Sequence, residues 1–234
     1  MRRILLKVIS FLSAALVTFN SFALVTFASE QIDVDIYRKK ENEEMMIALT
    51  FDDGPHPRYT PVILDILDEY GIKATFFVIG VNATNYPDTV VEVINRGHEI
   101  GNHTYSHPHV SKINSDKLQE EIELCESTVY ELTDYKTKLF RPPEGMIDTD
   151  VKNVIRNLDY KVILWDIDTR DWANTPANKI AENVIQNVAS GDIILMHDYV
   201  SYNSPTPEAL RIFIPELLKQ GYKFVVASEL IGVK

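Results

Sequence analysis

From residue 46 onward the chain alternates short apolar runs with longer stretches of helical period, about seven times over. This alternation constrains the fold more than any other feature. The runs 46–51, 74–79, 98–101, 138–140, 162–167, 193–196 and 224–227 have strand length. Between them, helices are expected near 60–70, 88–96, 115–132, 150–158, 177–188 and 207–219. The first has Thr60 as N-cap, Pro61 in the first turn, apolar Ile63, Ile66 and Leu67, and Gly71 as its stop. A strand that returns through a helix lies parallel to its predecessor, so the pattern implies a parallel sheet covered by helices.

Such a sheet is either open and doubly wound or closed into a barrel, and the polar residues help to choose. Asp52 and Asp53 end the first run, and His103 follows the third. Arg141 ends the fourth, Asp171 and Trp172 follow the fifth, and His197 ends the sixth. Each falls where a strand gives way to a loop. In closed barrels the site is built from the C-terminal ends of several strands. An open sheet gathers ligands at one switch point. Contributions from so many strands favour a closed or nearly closed barrel.

The chain begins differently. Arg2, Arg3 and Lys7 precede an apolar stretch over 8–28, the pattern of a secretory signal, with Thr26-Phe27-Ala28 as its cleavage site. Left uncleaved, the stretch would anchor the domain to the membrane. Either way residues 45–234, joined through a polar linker or arm at 29–44, are expected to work outside the cytoplasm as a secreted or cell-surface domain. Residues 1–28 carry three positive charges and no negative one, so their removal takes the net charge from −11 to −14. That balance argues against nucleic acid, whose phosphates need Lys and Arg, and it suits a neutral sugar polymer. The single cysteine, Cys125, lies at helical spacing with Leu118, Ile122, Val129 and Leu132 and reads as packing.

GHEIGNHTYSHPHV holds His98, His103, His107 and His109, four of the chain's 6 histidines. His103 and His107 are spaced for one helical turn, but Pro108 disfavours helix at His107, so a tight loop is expected. Imidazoles suit zinc and similar metals, and such a site wants a third protein ligand. His98 and His109 read as non-ligands. TFDDGP offers that third ligand. One carboxylate completes a two-His-one-Asp set, and its neighbour, pointing another way, is free to act as base. Alone, DDGP also reads as a turn former.

RPPEG stiffens a loop carrying Arg141, whose natural target is Asp52. WDIDTRDW departs from a calcium loop, with Arg170 at a ligand position and no glycine. It reads as an aromatic wall beside an acid, in which Asp171 holds a histidine and Trp172 faces substrate. IILMHD ends a strand in His197, a candidate general acid. Leu195, two residues earlier, points to the same side and lines an apolar pocket.

Together TFDDGP, HTYSH, RPPEG, DTRDW and LMH, in this order, resemble the polysaccharide deacetylase family, carbohydrate esterase family four, over residues 45–227. The resemblance implies a distorted (β/α)7 barrel of parallel strands. It also implies hydrolysis of N-acetyl groups on amino sugars of peptidoglycan, chitin or a related polymer. On it, Asp53, His103 and His107 hold one divalent metal, zinc foremost, with cobalt or another transition metal as alternatives. Asp52 is the base, Arg141 orients it, Asp171 tunes the acid His197, and Leu195 and Trp172 form the acetyl pocket. Glu144 stands where many members carry Tyr or Phe, and its backbone N–H still serves the oxyanion. The expected partner is an N-acetylated amino-sugar polymer, most simply peptidoglycan, acted on by a monomer. A chitin deacetylase and a sugar-binding homologue without catalysis are the alternatives, and the second predicts loss of Asp52 or His197, both of which are present.

Overall fold

The structure, a computed structural model, describes residues 34–200 and 203–233. The expected signal or anchor over 1–28 lies outside them. Among the described residues no helix is long and apolar enough to cross a membrane.

In chain order the elements are β1 (Ile36–Tyr37), β2 (Met46–Asp52), α1 (Tyr59–Glu69), β3 (Thr75–Val78), α2 (Gly80–Asn85), α3 (Pro87–Asn95) and β4 (Glu99–Asn102). They continue with α4 (Ser115–Thr133), β5 (Leu139–Phe140), α5 (Thr149–Leu158), β6 (Lys161–Ile163) and β7 (Ile167–Asp168). The last are α6 (Ala177–Asn187), β8 (Ile193–His197), α7 (Thr206–Lys219), β9 (Lys223–Val225) and α8 (Ala227–Ile231). Side-chain caps start two helices: Asn114 accepts from the Lys117 N–H at 2.8 Å and Asp148 from the Val151 N–H at 2.9 Å.

The paired strands run parallel in the order β1-β6-β5-β4-β3-β2-β8-β7, with β9 beside the first half of β2. β6 and β7 stand at opposite ends of this hydrogen-bonded path, apart from β1. Yet only Leu164, Trp165 and Asp166 separate them in sequence. Four extended steps reach about 14 Å at most, so the sheet must curl until its ends almost meet. The result is a seven-strand barrel with one seam that lacks ladder hydrogen bonds. Its outer wall packs on the helices through Phe51, Phe76, Ile63, Leu67, Phe213 and Leu217, all 1% exposed or less.

Several expectations shift. The run 162–167 divides into β6 and β7 because the chain crosses the seam there. The stretch 29–44 supplies β1, whose Ile36 and Tyr37 pair with Val162 and Ile163. Helix α1 begins one residue before Thr60, and the Thr60 hydroxyl goes to Asp198 instead of capping. The last run stops at Val225, since the Ala227 N–H is taken by Thr75 Oγ1 at 2.8 Å as α8 begins.

Candidate active site

The C-terminal ends of β2, β4, β5 and β8 and the loop after β7 surround a cleft of about 540 Å³. It is lined by Asp52, Asp53, His103, His107, Glu144, Trp165, Asp168, Trp172, Leu195 and His197. Strand register brings the chemistry together: Asp52 lies opposite His197 across the β2–β8 ladder. The two acids then diverge. Asp52 keeps strand geometry, while Asp53 turns to φ +73°, a left-handed conformation that non-glycine residues seldom adopt.

That turn aims Asp53 Oδ1 between two imidazoles, 3.5 Å from His103 Nε2 and 3.4 Å from His107 Nε2. The oxygen is buried and has no hydrogen-bond partner. Tetrahedral bonds of ~2.1 Å hold neighbouring ligand atoms about 3.4 Å apart, which both distances from Asp53 match. His103 Nδ1 sits 2.6 Å from the Arg141 carbonyl. A proton donated there leaves the Nε2 lone pair facing Asp53. His107 reaches its place through a left-handed turn (φ +54°) before Pro108, in a loop, as Pro108 requires. Burial pushes the Asp53 carboxyl up, but the imidazoles around it, His103 foremost, outweigh it and leave it below the usual range. An anionic oxygen and two imidazoles fit a divalent transition metal. Among the described residues no other group of three His, Cys, Asp or Glu side chains converges this way.

Arg141 is wholly buried and serves both the barrel and the site. Its Nε and Nη2 donate to the carbonyls of Ile163 and Leu164 at 2.8 and 3.1 Å, beyond the last β5–β6 pair, Phe140 with Val162. Nη1 donates to Asp52 Oδ1 at 2.7 Å and to Thr50 Oγ1 at 2.9 Å. The guanidinium lies 4.2 Å from the Phe77 ring and 5.6 Å from Trp165. One oxygen of Asp52 is thereby fixed, and the other, Oδ2, is 3.7 Å from His103 Nε2.

On the opposite wall, Asp171 holds His197 at two points. Its Oδ1 lies 2.8 Å from His197 Nδ1, and its Oδ2 accepts the His197 backbone N–H at 2.8 Å. Thr206 Oγ1 and the Trp172 N–H complete its shell at 2.7 and 3.0 Å. Burial disfavours a charged His197, but Asp171 outweighs it and the imidazole is pushed up to about 9. Trp172 stands half exposed at the rim, its indole N–H 3.4 Å from Asp168 Oδ1. Leu195 is buried beneath. Glu144 adopts φ +58°, and its carboxylate pairs with His109 at 3.1 Å.

All ten residues expected from sequence thus gather at or directly behind one cleft. His98 stays outside it, accepting the Ala74 N–H at Nδ1. Trp165, Asp168 and Thr206 were not singled out. The first two lie within WDIDTRDW, whose aromatic and acidic character was the available signal. Thr206 had none, since 35 residues separate it from Asp171. Gly145 follows from Trp165: at φ +67° a Cβ there would lie 2.6 Å from the indole ring.

Comparison with known proteins adds three kinds of likeness. The sequence model described as polysaccharide deacetylase matches residues 39–163. A peptidoglycan-N-acetylglucosamine deacetylase of Bacillus cereus is 44% identical over 195 residues, covering 82% of this chain and 91% of the relative. Among solved structures, the Bc1960 peptidoglycan N-acetylglucosamine deacetylase, in complex with 4-naphthalen-1-yl-N-oxidanyl-benzamide, superposes with a TM-score of 0.81 at 36% identity, covering 84% of this chain and 92% of that one. A family 4 acetyl xylan esterase from Clostridium thermocellum, in complex with a cobalt ion, gives 0.76 at 36% identity, covering 81% and 93%.

Proposed function

The chain belongs to the polysaccharide deacetylase family, and on that premise we propose that it hydrolyses N-acetyl groups of amino sugars in cell-wall peptidoglycan, with Asp53, His103 and His107 holding one zinc ion. The observation that carries this reading is the convergence of those three donor atoms, with Asp52 on one side and His197 on the other. Similarity to a peptidoglycan deacetylase supports the polymer. The donor set supports zinc, and the cobalt-bearing relative keeps other transition metals in play.

When bound, the cation supplies Lewis acidity to an acetyl carbonyl oxygen and to the attacking water. Asp52 Oδ2 takes the proton from that water, while Arg141 holds the carboxylate in orientation. The water oxygen forms a bond to the acetyl carbon, and the carbon–nitrogen bond breaks. His197 delivers a proton from Nε2 to the leaving nitrogen, its Nδ1 held by Asp171. Acetate and a free amine leave. The Glu144 N–H serves the developing oxyanion, and Leu195 and Trp172 enclose the acetyl methyl. Residues 45–234, with β1 added to their sheet, form the catalytic domain, exported by residues 1–28 as a cleaved signal or an anchor, and the domain acts as a monomer.

Mass spectrometry of peptidoglycan and of chitin oligomers, after treatment with zinc-loaded protein, tests the polymer. Loss of acetyl groups from peptidoglycan is expected. Loss from chitin oligomers alone would move the assignment to chitin, and loss from neither would leave a sugar-binding homologue.

The His197–Asp171 pair gives a pH signature. With His197 pushed up to about 9, the acid stays protonated until pH approaches that value. Asp171→Asn should move the alkaline limb of kcat/KM down toward the ordinary imidazole value of about 6.5, read from rate–pH profiles. By linkage, the pair stabilises the fold fully below about pH 6.5, and the contribution fades as pH rises through about 9. An unmoved limb would separate Asp171 from the proton on His197.

A further inference from the structure

Asp198 adjoins His197 and is 1% exposed, yet the reaction above gives it no part. Its surroundings belong to the turn that carries the two acids. The Asp198 backbone N–H donates to the Asp52 carbonyl at 3.2 Å. Its Oδ2 accepts from Thr60 Oγ1 at 2.5 Å, and that hydroxyl in turn accepts the His56 N–H at 2.8 Å. Between Asp52 and His56 the carboxyl lies flat against Gly54. A Cβ at Gly54 would stand 2.0 Å from Oδ2 and 2.2 Å from Oδ1, and its three nearest neighbours are all atoms of this carboxyl. On its other contacts the turn is held by its carbonyls: Gly54 O accepts the Ile79 N–H at 2.9 Å and Asp53 O accepts from Asn82 Nδ2 at 2.8 Å.

This clamp answers a physical need. Asp53 sits at φ +73°, a strained conformation that persists only where neighbours over-determine it. Released, the residue would relax and swing Oδ1 away from the imidazoles. We propose that Asp198 is a positioning residue for the cation site: with Thr60 as its strut and Gly54 as its seat, it fixes the two-acid turn so that Asp53 Oδ1 meets His103 and His107. The inference rests on the reading that these three residues take a cation. It adds that the affinity is set in part by a carboxyl that never touches the ion. Gly54 is accordingly required for its missing side chain, because the clamp fills the space a methyl group would occupy.

Cation affinity of the metal-free protein tests this, measured by calorimetry with Zn2+ and by the visible spectrum of bound Co2+. Asp198→Ala should weaken Zn2+ binding by about 10–100-fold, the range for residues that orient a ligand, and should alter the Co2+ spectrum. Asp198→Asn keeps the shape and an acceptor for Thr60, so it should retain most of the affinity. Thr60→Val removes only the strut and should shift affinity in the same direction by less. Gly54→Ala should weaken binding as Asp198→Ala does. The double variant Gly54→Ala/Asp198→Ala should be no worse than either single one, because the new methyl enters the space the carboxyl vacates. Wild-type affinity and spectrum in Asp198→Ala and Thr60→Val, with only the melting temperature lowered, would reduce Asp198 to a structural acid and overturn the proposal. So would losses in the double variant that simply add. Wild-type protein that takes up no Zn2+ or Co2+ would overturn the cation reading itself, and this inference with it.

Discussion

Asp52→Asn is expected to slow acetate release by about 10²–10⁴-fold while leaving cation affinity nearly unchanged. The asparagine keeps the volume of Asp52 and can still accept from Arg141 Nη1, which holds Oδ1 at 2.7 Å. What disappears is the basicity at Oδ2. Asp53→Asn should fail differently. It exchanges the anionic oxygen, 3.4–3.5 Å from two imidazole nitrogens, for a neutral one, so affinity falls and excess zinc restores part of the rate. Zinc titrations of both variants, followed by acetate release, separate the roles. Rescue of Asp52→Asn by zinc, or equal loss of the ion from both, would show that the roles within the pair are misassigned.

Arg141→Met is expected to destabilise the fold by about 3–5 kcal/mol, the cost of leaving a buried charge without its partner. The side chain of Asp52 is only 5% exposed, so water cannot replace the guanidinium. The same change strips the carbonyls of Ile163 and Leu164 of their donors at the seam. Arg141→Lys should recover little, because one ammonium cannot reproduce a planar fork that meets four acceptors. Asp52→Asn placed on Arg141→Met should recover part of the loss, since the unpaired charge is gone while the carbonyls stay unsatisfied. Chemical denaturation of the three variants measures this. A loss below about 1 kcal/mol, the scale of exposed ion pairs, would mean that the pair is open to solvent.

Much of this was legible in sequence because the chemistry is carried by short local motifs at strand ends. Asp52 and Asp53 are adjacent, His103 and His107 are four apart, and the proline after His107 points to a tight loop. The parallel barrel followed from the same punctuation. What stayed hidden depends on contacts between distant segments. Ile36 and Tyr37 are too few to show a strand period, and they pair only because β6 offers an edge. The break between β6 and β7 lies inside one apolar run, where hydropathy cannot mark a seam. Thr60 gave a convincing local cap signal, yet its hydroxyl is claimed by Asp198, 138 residues away. Asp198 carries no local sign of its partner, and only the fold sets it against Gly54.

Acetate release before and after removal of the metal decides whether this cleft is a metal-dependent N-deacetylase site. Purified wild-type protein acting on N-acetylated peptidoglycan fragments should release acetate and hold about one equivalent of divalent metal. It should stop when stripped by a chelator and resume when zinc is returned. Release that continues undiminished in the stripped protein would contradict a metal-dependent site, and a zinc-loaded protein that binds the glycan and frees no acetate would contradict a deacetylase.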